Sequence, residues 1–103
     1  MAVARRTAAA DDDLRSIAFA IGIESGRLGV AERIVDELLD RCDRLAQQSH
    51  LARIGSPAPQ LGSDVRLVSH RRWVIIFRYD DDGIVVLRIA DGSQDYLAWH
   101  LVD

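Results

Sequence analysis

The feature that most constrains this chain is a change in the spacing of its apolar residues. Up to Ala46 they recur every three to four positions, and after Asp64 they recur every second position. Between the two halves stand Gly55-Ser56-Pro57-Ala58-Pro59 and Gly62-Ser63-Asp64, whose prolines and glycines forbid a regular helix. Helices first and antiparallel strands second is the α+β pattern. With 103 residues there is material for one core and too little for two, so residues 1–103 are expected to form a single domain.

The helical half divides in two. Residues 2–6 suit a short strand, with Val3 as the strong strand former. Thr7 then reads as a helix N-cap, its hydroxyl able to accept from a backbone N–H of the first turn. Asp11, Asp12 and Asp13 fall in the first two turns, where the helix dipole favours negative charge. Three successive helical positions point in different directions, so they read as capping and solvation rather than as a metal site. Leu14, Ile17, Ala18 and Ile21 form one apolar face. Gly22, Gly26 and Gly29 interrupt it, which ends the first helix near Glu24 and starts the second at Val30. There Ala31, Ile34, Val35, Leu38, Cys42 and Leu45 make a continuous stripe, widened by Leu39 and Ala46. Asp40–Arg44 and Glu37–Arg41 stand at the i, i+4 spacing of helical ion pairs. Cys42, on the stripe, reads as a core residue. As the single cysteine it has no internal disulfide partner, which fits a reducing compartment and a cytoplasmic location.

Residues 47–64 read as a linker pinned by Leu51, Ile54 and Leu61. Val65–Ser69 is the next strand, with His70-Arg71 turning it into residues 72–79, where Trp73, Ile75, Phe77 and Tyr79 share a face. Asp80-Asp81-Asp82-Gly83 predicts a hairpin turn, Asp-Gly supplying the positive φ angles. Ile84–Ala90 returns and Asp91-Gly92 ends it. These two strands are apolar on both faces, so they belong mid-sheet with the helices covering one side. The cover of the other side bears on function. The apolar tail Tyr96–Val102 either packs back on the sheet or serves as a hydrophobic contact for a partner or a second copy.

All 13 basic residues are arginine, which excludes chemistry that needs a lysine nucleophile, a Schiff base or a phosphate-loop lysine. The net charge of −3 argues against direct nucleic-acid binding. No apolar run reaches the ~18–20 residues of a membrane span. Met1–Arg6 has no apolar core after its arginines and does not read as a secretory signal. His50, His70 and His100 lack metal-ligand spacing, and neither a metal nor a cofactor is expected. Arg88 interrupts an apolar strand. It needs a carboxylate or carbonyl partner, or it belongs to a binding surface.

Taken in order, the pieces resemble the ParE branch of the ParE/RelE superfamily, the toxins of bacterial type II toxin–antitoxin modules, also called plasmid stabilisation proteins. The resemblance runs through Thr7-x-x-Ala10-x-x-Asp13-Leu14-x-x-Ile17 and Ala31-Glu32-Arg33-x-x-x-x-Leu38. It continues in Leu45-Ala46, Leu61 and Val65-Arg66, then in Trp73-Val74-Ile75-x-Phe77-x-Tyr79 and Ile84-Val85-Val86-Leu87-Arg88-Ile89-x-Asp91-Gly92. It implies a short N-terminal strand, an antiparallel helical hairpin and a three-stranded antiparallel sheet. It also implies a non-enzymatic poison of DNA gyrase, neutralised by a cognate ParD-like antitoxin that wraps around it, with a dimer or higher hetero-oligomer as the complex. The antitoxin is expected to lie along the helical hairpin and the free face of the sheet.

Between Arg66 and Arg78 there is no acid, so Arg66, His70, Arg71, Arg72 and Arg78 read either as a patch that meets an acidic antitoxin or the target, or as ordinary charge on sheet edges and turns. With Trp73, Arg88, Tyr96 and Trp99, the arginines Arg66, Arg71, Arg72 and Arg78 are the candidate contact residues. Two alternatives remain. One is a ribosome-dependent mRNA endoribonuclease of the RelE type, in which basic residues stabilise the charge on phosphorus. Arg66 and Tyr96 stand at matching places for it. The linker from Arg53 to Gly62 offers only Arg53, however, and Ser93-Gln94-Asp95 replaces the late basic pair. The other is an interaction module of the same fold without toxicity.

Overall fold

The structure is a computed structural model that describes residues 2–48 and 53–101. Strand β1 (Val3–Arg6) leads through Thr7 into helix α1 (Ala8–Ser25), and Thr7 Oγ1 accepts from Ala10 N at 3.1 Å, the cap expected from the sequence. Gly22 lies inside α1 and Gly26, with φ 67°, closes it. Helix α2 (Leu28–Gln47) starts two residues earlier than its apolar stripe suggests, with Gly29 in its first turn. A glycine costs a helix only about 1 kcal/mol, which packing of the stripe outweighs. Ala31, Leu38, Cys42, Leu45 and Ala46 are buried, with Ile34, Val35 and Leu39 packed beside them. Asp40 and Arg44 pair at 3.4 Å, whereas Glu37, expected beside Arg41, is held instead by Arg71 of the sheet.

The sheet has five strands in the order β1-β5-β4-β3-β2, with β2 Ser56–Pro57, β3 Val65–His70, β4 Trp73–Asp80 and β5 Gly83–Asp91. It is mixed, since β1 runs parallel to β5 while the other neighbours are antiparallel. The three-stranded antiparallel unit expected from the sequence is its centre, extended on one side by β1 and on the other by a two-residue strand from the linker. The β3–β4 turn is Arg71-Arg72, one residue later than expected, because His70 still pairs with Trp73. At the β4–β5 turn Gly83 has φ 145°, while Asp82 is not in the left-handed region; its N–H bonds Asp80 Oδ1 instead.

Each sheet face has its own cluster. Val68, Trp73, Ile75, Phe77, Ile84, Val86 and Ile89 pack on the helices. Val65, Val74, Ile76, Leu87 and Ala90 face the other way. That outer face is covered by Ala58 and Leu61 of the linker and by Tyr96, Trp99 and Leu101 of the tail. The tail therefore packs back on the sheet, as a short 3-10 turn (Tyr96–Ala98) and an extended end rather than as a strand. The outer face is not free, contrary to the expectation for the antitoxin path. Ile54 is half-buried and Leu61 buried, as expected of pins; Leu51, His50 and Val102 lie outside the described residues.

Candidate functional site

β5 carries an irregularity that shapes the site. Phe77 pairs with Val86 and Ile76 with Arg88, so Leu87 is an extra residue on β5. Beyond β1, the exposed edge of β5 is taken over by the start of α1. Thr7 N donates to Val86 O at 3.1 Å, Thr7 Oγ1 to Leu87 O at 2.7 Å, and Ile89 N to Asp13 Oδ2 at 2.9 Å. The same Asp13 carboxylate accepts from Arg88 Nε at 2.7 Å and from an Arg88 Nη at 2.9 Å. The carboxylate raises the Arg88 pKa through that hydrogen bond, against the opposing effect of burial. On its other side the Arg88 guanidinium lies 4.1 Å from the Trp99 ring centroid, a cation–π stack. Arg88 is thus a structural ion pair that also orders the tail. Asp11 pairs with Arg6 at 2.7 Å and Asp12 with Arg15 at 2.5 Å, both at the solvated start of α1 as expected, so Asp13 is the member of the triplet that the fold draws in.

The remaining candidates separate. Arg66 serves the linker, donating from Nε to Ile54 O at 3.0 Å and from Nη2 to Gly55 O at 2.9 Å. Arg78 is half-buried in β4, opposite Val65. Arg71 and Arg72 stand at the other end of the hairpin, five strand positions or ~16 Å from Arg66. Arg71 takes the left-handed conformation (φ 55°) in the β3–β4 turn and donates two 2.9 Å bonds to the Glu37 carboxylate. The Arg71 guanidinium in turn holds Glu37 below the usual carboxylate range. Arg72 lies 3.2 Å from Asp91 and 5.2 Å over the ring of Trp73, which is itself only 5% exposed. Asp91 is held down chiefly by the Ser93 N–H and hydroxyl, with Arg72 adding to it.

Arg72 and Trp73 meet residues that were not among the contact candidates. An open cleft of about 420 Å³ runs between α1 and the end of β5, with Trp73, Ile17 and Ile89 in it and Asp13, Ser16, Arg72, Asp91 and Gln94 around it. Three further residues, also unforeseen, expose apolar surface at the tip of the helical hairpin: Phe19, Ile23 and Leu28. A signal for Phe19 was present, since it lies off the Leu14–Ile21 face. Among the described residues no group of three or more His, Cys, Asp or Glu could hold a metal, and no helix is long and apolar enough to cross a membrane. Cys42 is buried, and that burial pushes its thiol up to about 12.

An α+β layer of two helices on a mixed sheet is shared with a solved structure described as the chromosomal ParDE TA system from P. aeruginosa. That likeness has a TM-score of 0.75 at 22% identity and covers 88% of this chain and 96% of the other. None of the curated proteins matches. The family described as ParE toxin of type II toxin-antitoxin system, parDE, matches residues 4–96. The chain belongs to the ParE toxin family.

Proposed function

We propose that the protein is a toxin that inhibits DNA gyrase by protein–protein contact and is neutralised by a cognate ParD-like antitoxin in the cytoplasm. The observation that carries this reading is the family match over residues 4–96. The engagement of the arginines supports action by contact rather than catalysis. RelE-type cleavage needs cations that converge on a phosphate. Here Arg66 is bound to linker carbonyls at the far end of the hairpin from Arg71 and Arg72, and Arg71, Arg72 and Arg88 are each held by a carboxylate of their own, Glu37, Asp91 and Asp13. The net charge of −3 supports a protein target over a nucleic acid. The contact surface we assign runs from Arg71 and Arg72 past Trp73 and its cleft to Arg88, Tyr96 and Trp99, with Arg66 and Arg78 at the far end. The antitoxin binds as part of a dimer or higher hetero-oligomer.

The test is a gyrase supercoiling and DNA-cleavage assay with antitoxin-free protein, beside a ribosome-dependent mRNA cleavage assay. Lost supercoiling or trapped cleavage with intact mRNA, reversed by the antitoxin, is the expected result. Cut mRNA with normal supercoiling would establish the ribonuclease reading instead. Neither effect would leave an interaction module without toxicity.

A further inference from the structure

Among the described residues, the hydrogen bonds of Tyr96–Leu101 are local: Ala98 N donates to Asp95 O at 3.2 Å and Trp99 N to Tyr96 O at 3.1 Å. None of them ties this segment to a strand, so it is held by side-chain packing on the outer cluster. To that packing Arg88 adds a charged contact, its guanidinium 4.1 Å from the Trp99 ring centroid. The extra residue Leu87 joins the outer cluster, and Arg88 follows it where β1 has ended. There the guanidinium stands between two cavities. On the tail side it lines a hollow of about 220 Å³ with Ala9, His100 and Leu101. On the helix side its anchor, Asp13, lines the cleft beside Trp73, together with Ser16, Ile17 and Ala20 of α1. Asp13 fixes the plane of the guanidinium through Nε and an Nη, and that plane is what Trp99 stacks on.

The side chains of Asp13 and Arg88 remain 15% and 30% exposed, so the pair is open to competition. A second cation in the cleft draws on the same carboxylate and weakens its hold on Arg88. We propose that Tyr96–Leu101 is a releasable strap and that the Asp13–Arg88 pair is its latch, opened when a cationic side chain engages Asp13 from the cleft. Release uncovers Val74, Ile76, Leu87 and Ala90 on the opposite face of the sheet. A basic group of a partner seated in the cleft thereby creates a second, apolar contact surface. By linkage, a partner on that surface loosens Asp13 for the first. The latch belongs to the chain alone and does not depend on the gyrase reading.

NMR relaxation of the isotope-labelled full chain tests it, read as order parameters of residues 96–101 and of the Trp99 indole. Ser16 is exposed and stands three positions after Asp13, so Ser16→Arg places a competing guanidinium in the cleft at ion-pair spacing. It is expected to lower the order of the tail while the signals of α2 and β4 stay in place. Exchange of the Arg88 Nε proton with water should become at least about fivefold faster. Ser16→Gln, long but uncharged, should leave the tail ordered. Asp13→Asn keeps an acceptor for Ile89 N while giving up the charge, and should also loosen the tail. In the reverse direction, Trp99→Leu should speed Arg88 Nε exchange by a similar factor. A folded Ser16→Arg with tail and Arg88 as firm as in wild type would overturn the proposal, as would a Ser16→Gln that is equally loose. A tail that loosens only when the sheet does is no separate strap, and that result would overturn it as well.

Discussion

Asp13 accepts three hydrogen bonds, two from Arg88 and one from Ile89 N, and its side chain is 15% exposed. Asp12, one position earlier, makes a pair whose two side chains are 70–72% exposed. The two carboxylates therefore differ in worth despite being neighbours in the same triplet. Asp13→Ala leaves a part-buried Ile89 N–H without a partner and takes the anion from Arg88, a loss of about 2 kcal/mol. Asp12→Ala should stay within about 0.5 kcal/mol of wild type, as exposed pairs do. Urea unfolding of the two variants decides the matter, and equal losses would reduce Asp13 to ordinary surface charge. Cys42 is settled by burial in the same way. It is 1% exposed and its thiol is pushed up to about 12, so almost no thiolate exists at neutral pH. Alkylation at pH 8 should await unfolding and become immediate in denaturant. Fast labelling of the native chain would contradict that burial.

At the scale of elements, the turn glycine Gly83 does more than turn the chain. A Cβ there would stand 2.2 Å from Val3 O and 2.8 Å from Val3 N, because β1 passes directly against it. Gly83→Ala should therefore displace β1 and destabilise the protein by about 2–4 kcal/mol, whereas Gly22→Ala should be neutral or stabilising by up to about 1 kcal/mol. Thermal unfolding of the pair provides the check, and a mild Gly83→Ala would show that β1 docks loosely. The elements themselves were legible in the spacing of apolar residues, because each helix or strand buries a face whose period is local. What was not legible is what depends on distant pairing. The parallel seat of β1 on β5, the linker strand β2 and the extra residue Leu87 are fixed by partners many positions away. The candidate site divides likewise. That Arg88 needs an anion could be read from its apolar strand, but that the anion is Asp13 could not. The scattering of Arg66, Arg71 and Arg72 over two ends of a hairpin follows from register, which a run of basic residues does not reveal.

The whole molecule is a sheet with helices on one face and its own linker and tail on the other, which changes what Tyr96 and Trp99 mean as contact candidates. Both are half-buried against Val74, Ile76, Leu87 and Ala90, and Trp99 also stacks on the Arg88 guanidinium that α1 holds through Asp13. A partner that lifts the tail would thus uncover the outer cluster and disturb a contact that reaches the helical layer. Half-burying three large side chains, with Leu101, is worth about 3 kcal/mol, a large share of the 5–15 kcal/mol typical of a domain. A chain ended at Asp95 should keep its helical far-ultraviolet signal but unfold at lower urea, and should bind a hydrophobic dye that the full chain does not. If it instead unfolds at the same urea concentration and binds no dye, the tail is no cover, and Tyr96 and Trp99 are left to act on partners alone. If the expected loss appears, toxicity lost on changing either aromatic residue is evidence of contact only when antitoxin or target binding falls by more than the loss of folded protein explains.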